Sequence, residues 1–130
     1  MTLPGFQKTL KNCTLAEAKP RVTEALKAEG FGVLTEIDVQ ATLKEKIKAD
    51  IRPYVILGAC NPPFALKAVT MHPLAGLMMP CNVVLYAEGS DTVVTAVDPS
   101  LGAVVTQGGP EIRALAGEVG AKLSKVVNGL

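Results

Sequence analysis

The spacing of apolar residues changes several times along the chain, and each change predicts an element. Leu15, Ala18, Val22, Ala25 and Leu26 recur at three- and four-residue steps, the signature of one helix face. Ahead of them, Thr14-Leu15-Ala16-Glu17 reads as a capping box, in which a hydroxyl and a carboxylate take up backbone N–H groups that the first turn leaves unpaired. Gly30, after Lys27 and Glu29, supplies a left-handed stop. Pro20 inside the run removes one helical hydrogen bond and predicts a kink or a late start. From Phe31 the period falls to two, with Phe31, Val33, Thr35, Ile37 and Val39 on one face, which predicts a half-buried strand. Val39, Leu43 and Ile47 then recur every four residues among lysines and a glutamate, the pattern of a short, mostly exposed helix.

The second half is more apolar. Tyr54 to Cys60 is a continuous apolar run too short for a helix and suits a strand covered on both faces. Asn61-Pro62 has the form of a helix cap and first turn, so a helix through Phe64, Ala65, Ala68 and Val69 is expected to end before Pro73. Leu77 to Ala87 reads as a strand entered through Pro80, and Glu88-Gly89-Ser90-Asp91 as a turn into a strand over Thr92–Val97. After a glycine-containing loop, Pro110 opens a last helix with the core stripe Ile112, Leu115, Val119, Leu123 and Val126. With Phe6 to Leu10 as a weak first strand, the order is β-α-β, a short helix, β-α-β-β, α. This is an α+β fold, with long helices from both ends packed on one face of a mainly antiparallel sheet. Residues 1–130 form a single domain, because no repeat and no linker interrupts them.

Composition narrows the partners. With 48% hydrophobic and 19% charged residues, the chain sits at the apolar edge of ordinary globular composition, which predicts a homodimer that covers the surplus. A formal charge of +1, with no Trp and only two Tyr, excludes the basic face and stacking platform that nucleic acid requires. No segment approaches the length of a membrane span. Three cysteines at long spacings, with no apolar leader core near Met1, fit a reducing cytoplasm better than a disulfide framework.

Candidate chemistry is sparse. No phosphate-cradling loop, nucleophile elbow or paired acid and base is present, so the chain reads as non-enzymatic. One constellation stands out. If the strands ending at Cys60-Asn61-Pro62 and starting at Pro80-Cys81-Asn82 are antiparallel neighbours, Cys60 and Cys81 meet at one edge of the sheet. His72, Met71, Met78 and Met79 lie in the connection between them. Thiolate, thioether and imidazole together form the soft donor set that copper(I) selects, and the spacing matches no zinc signature. The candidate ligand-binding residues are Cys60, Asn61, Cys81 and Asn82, and the candidate metal donors are Cys60, Cys81, Met78, Met79 and His72. The competing reading makes the thiols and thioethers core filling. The helix opening after Cys60 turns its positive end toward that residue, which favours reaction at Cys60 over Cys81.

Three blocks carry a resemblance to a known family. Phe31-Gly32-Val33-Leu34-Thr35-Glu36-Ile37-Asp38-Val39, then Tyr54 to Pro62 with its Leu-Gly-Ala-Cys-Asn-Pro ending, then Pro80-Cys81-Asn82-Val83-Val84 resemble the signature blocks of domain-of-unknown-function family 302 (DUF302). The resemblance runs from about Thr14 to Pro99. It implies a compact β-α-β4-α fold like one half of the TATA-binding protein, with short extra helices between strands here, and a homodimer. It implies no activity. Cys60 and Cys81 fall on the family's two cysteine positions, whereas Cys13, His72, Met71, Met78 and Met79 lie outside its pattern. The expectation is therefore a small binding module for a small ligand or a soft metal ion such as copper, using Cys60 and Cys81. The alternatives are a thiol-based redox or sulfur-handling protein, and a structural or interaction domain.

Overall fold

The structure is a computed structural model that describes residues 5–100 and 109–130. Five strands form one antiparallel sheet: β1 (Gly5–Leu10), β2 (Gly32–Asp38), β3 (Tyr54–Cys60), β4 (Cys81–Glu88) and β5 (Asp91–Val97). Their order across the sheet is β1-β5-β4-β3-β2. Among the described residues, four α-helices accompany them: α1 (Leu15–Ala28), α2 (Val39–Ile47), α3 (Pro62–Met71) and α4 (Pro110–Asn128). A 3-10 helix over Pro73–Met78 links α3 to β4. The glycine-containing loop before α4 falls outside the described residues.

Helices α1 and α4 pack beside each other on one face of the sheet, α1 against β2, β4 and β5 and α4 against β1 and β5. Alternation along the strands then decides what is buried. Val55, Leu57 and Ala59 of β3, Val83 and Leu85 of β4, and Val94 and Ala96 of β5 point at these helices and form the core. They meet Ala18, Val22 and Leu26 of α1 and Val119, Leu123 and Val126 of α4. The predicted stripe of α4 is buried along its whole length. The opposite face carries Tyr54 stacked on its cross-strand partner Tyr86, with Arg52 over the Tyr86 ring.

Local chemistry explains where the elements begin and stop. Thr14 Oγ1 accepts the Glu17 N–H at 3.2 Å, and the Glu17 carboxylate accepts the Thr14 N–H at 3.2 Å. The capping box therefore forms as read, and α1 starts at Leu15 and continues through Pro20 with no late start. The Thr23 hydroxyl donates to the Lys19 carbonyl in the same turn. Gly30 ends the helix with φ at +86°, a conformation that costs glycine little. At the far end, Lys8 on the helix-facing side of β1 donates to the carbonyls of Asn128 and Leu130, placing a cation at the negative end of α4. The buried Thr92 hydroxyl donates to the Cys13 carbonyl at 2.7 Å, so this polar group costs the core little.

Two expectations change. The single face predicted for Phe31 to Val39 breaks at Leu34, where a register shift separates Val33, paired with Ala59, from Thr35, paired with Gly58. Thr35 and Ile37 consequently turn to the open face, and Glu36 turns to the α1 side, where it pairs with Lys19 at 2.9 Å. One extra residue in a strand has this effect because side chains alternate with period two. The strand predicted from Leu77 begins only at Cys81, because Pro73–Met78 coils into the 3-10 helix instead. The remainder of the hairpin reading holds: Glu88 pairs with Asp91 across Gly89 and Ser90, with Gly89 at φ +61°.

Candidate functional site

The site lies where the sheet ends and α3 begins. Cys60 is the last residue of β3 and Cys81 the first of β4. Their strands are hydrogen-bonded neighbours, with Cys81 opposite Ala59, so Cys60 stands one place beyond the residue facing Cys81. On its other side, Cys60 pairs with Gly32 of β2. Close approach is built into this corner. A β-carbon on Gly58 would collide with the Thr35 hydroxyl and would sit 2.8 Å from the Pro80 ring.

Above this corner is a cavity of about 110 Å³. Cys60, Cys81 and Phe31 border it at the sheet, Phe64 and Ala68 of α3 form its roof, and Ile112 and Leu115 of α4 form its far wall. Its wall is overwhelmingly apolar, a property of small-ligand pockets when a few polar groups converge on them. The polar residues along it are Cys60, Asn61 and Cys81; strand alternation turns the Cys81 side chain to the helix side with Ala59 and that of Cys60 to the open face with Gly58. All three cysteines of the chain are free. Burial pushes the Cys81 thiol up to about 11, and the neighbouring Cys60 adds to the effect, so Cys81 is protonated at neutral pH and is a poor nucleophile in that state.

The predicted residues divide between two locations. Cys60, Asn61, Cys81, Met78 and Met79 all border the cavity. His72 and Asn82 do not. His72 sits at the junction of α3 and the 3-10 helix, where its Nδ1 accepts the Leu74 N–H at 3.3 Å. Asn82 pairs with Gly58 and is exposed, one residue out of phase with Cys81. Asn61 occupies the cap position of α3 without making a side-chain cap bond. It is buried, and its amide donates to the Glu29 carbonyl at 3.4 Å, joining the start of α3 to the end of α1. Cys13 lies apart in the main core. The α3 and α4 residues that wall the cavity had no signature beyond helical apolar spacing, which specifies burial without specifying a gap.

The outer surface of the cavity's roof is unusual. Leu66, Val69, Met71, Leu74, Leu77 and Met78 are all exposed, Leu77 at 76%. No residue of α3 is fully buried. Between Asp50 and Glu88 the chain carries no acidic residue, so this surface is apolar with Lys67 as its lone strong charge. Among the described residues, no group of three or more His, Cys, Asp or Glu side chains is placed to hold a metal ion, and no helix is long and apolar enough to cross a membrane.

Comparison with known proteins gives a family without an activity. A search of curated proteins finds no match. Among solved structures, the chain is similar to an uncharacterized conserved DUF302 protein from Bacillus stearothermophilus. The two share 30% sequence identity and superpose with a TM-score of 0.84, over 95% of this chain and 96% of the other. The model of the family described as "Domain of unknown function DUF302" matches residues 6–130, and the chain belongs to that family.

Proposed function

We propose that this protein is a non-enzymatic binding module that holds a small ligand or soft metal ion in the cavity beside Cys60 and Cys81. The observation that carries the reading is the coincidence of one apolar cavity with both cysteines at adjacent strand ends. A well-packed interior has few voids larger than water, and this one opens where Phe64 and Ala68 meet Ile112 and Leu115. Native mass spectrometry of protein purified from its own host tests the proposal. The expected spectrum has a retained mass above that of the chain, and the added mass disappears in Ala68→Phe, whose ring fills the gap between α3 and α4. The bare chain mass in the wild type would contradict it. A mass short by two hydrogens also contradicts it, and favours the thiol-redox alternative instead.

The same reading includes a homodimer in a reducing compartment such as the cytoplasm. The exposed leucines of the α3 segment support the first part, and the three free thiols support the second. Light scattering at micromolar concentration is expected to give twice the chain mass. A single 13.6 kDa species contradicts the dimer.

A further inference from the structure

We infer that the cavity takes a small uncharged apolar molecule, of about the size of a benzene ring, held by contact with its wall and by no ion pair. This rests on the cavity-binding reading above and narrows its ligand. The space has a cause in the sequence. Helices α3 and α4 meet through Phe64 with Ile112 and Leu115, while Ala65 and Ala68 border the cavity from one helix and Ala116 from the other. Alanine ends at its β-carbon, so the long side chains hold the helices together and the short ones leave the gap.

The chemistry of the wall selects the ligand. Among the described residues that line it there is no Lys, Arg, His, Asp or Glu. Asn61 supplies the one amide, which already donates to the Glu29 carbonyl at 3.4 Å. No buried side-chain nitrogen or oxygen among the described residues lacks a hydrogen-bond partner, so no polar group stands ready for a polar ligand. Cys81 turns to this side of the sheet, and burial holds its thiol protonated at neutral pH. A neutral thiol behaves as a small hydrophobe. A charged ligand would therefore lose its water here and gain no partner, which is strongly unfavourable, whereas a hydrocarbon ring gains dispersion contacts from every wall. Size agrees with this chemistry. An engineered apolar cavity of about 150 Å³ stays dry and takes benzene, and the cavity here is of that order at about 110 Å³. Met78, 46% exposed, forms part of its border, and its unbranched thioether can swing aside to admit a ring and then adapt to its outline.

The test is a titration of the full chain with benzene, benzoate and benzylammonium, followed by methyl NMR. Benzene is expected to shift the methyl signals of Ile112, Leu115 and Val119 while those of Val22 and Leu26 against α1 stay in place, and the two charged analogues are expected to bind about 100-fold more weakly or not at all. Ala68→Phe is expected to abolish the benzene shifts. If that variant does not fold, as circular dichroism would reveal, the shift map of the wild type and the charge comparison still decide the question. Absence of benzene shifts at the wall, shifts that persist in folded Ala68→Phe, or a charged analogue that binds there as tightly as benzene would each overturn the inference. If benzene fails while host-purified protein retains another mass that Ala68→Phe abolishes, only the apolar identity of the ligand falls and the cavity-binding reading stands.

Discussion

Helices α1 and α3 each follow the end of a strand, yet one closes the molecule and the other leaves a gap. Helix α1 has a complete capping box and buries Ala18, Val22 and Leu26 without residual exposure. Helix α3 has no side-chain cap bond, buries no residue fully, and presents Leu66 at 67% exposure. Composition does not explain the contrast, since α3 is the more apolar of the two. The difference lies in geometry. Helix α1 lies against the sheet, whereas α3 leans on α4 through Phe64 and Ala68 at the sheet's end and spans the cavity instead of filling it. Tight packing marks the region that holds the fold together, and the gap beneath α3 is where the proposed binding would take place.

The comparison can be broken most directly by truncation. Leu26→Ala in α1 is expected to destabilise the protein by about 3 kcal/mol or more, because the surrounding core collapses only partly around a lost side chain. Chemical denaturation measures it, and a loss below about 1 kcal/mol would show that α1 is not the better packed helix. The next effect is pH-dependent and belongs to the cavity. The Cys81 pKa is raised from 9.0 to about 11 in the folded protein, so the unfolded chain loses this proton first as pH rises. The associated stabilisation is intact below pH 9 and is lost toward pH 11, on the order of 2 kcal/mol. Wild type should therefore lose more stability than Cys81→Ala over that window. Equal losses would mean that the thiol is not confined.

Smaller effects separate the two helices further. Thr14→Ala removes the cap of α1 and is expected to cost about 1 kcal/mol. Leu66→Ser on the outer surface of α3 is expected to change monomer stability by about 0.5 kcal/mol or less, and to affect self-association instead. A thermal shift larger for Leu66→Ser than for Thr14→Ala would reverse the assignment of roles.

Much of this contrast was legible in the residues, for identifiable reasons. Thr14 with Glu17, Gly30, Pro110 and the Ile112-to-Val126 stripe are local signals, and the elements they announce form as read. The Leu34 register shift was not legible, since nothing in an alternating run marks which residue its partner strand skips. The start of the strand read from Leu77 misled for a related reason: an apolar stretch leading into Pro80 is compatible with a strand or a tight helix, and packing of Pro73–Met78 against α3 decides. At the site, chain order alone brought Cys60 and Cys81 to neighbouring strand ends, and Met78 and Met79 followed from the connection. His72 was drawn in by proximity in sequence, but its ring nitrogen turns to the Leu74 amide. The cavity itself depends on distances between three helical segments, a quantity that no single residue encodes.

The central claim, that the Cys60–Cys81 corner is a site and not core filling, is tested most directly by alkylating the native protein with iodoacetamide at neutral pH and following each cysteine by peptide mass spectrometry. The account predicts that Cys60 reacts first, ahead of Cys81 with its raised pKa. Cys13, enclosed in the main core, should react last. If no thiol reacts until denaturant is added, and Cys60→Ala lowers stability, both cysteines are packing residues and the account is wrong.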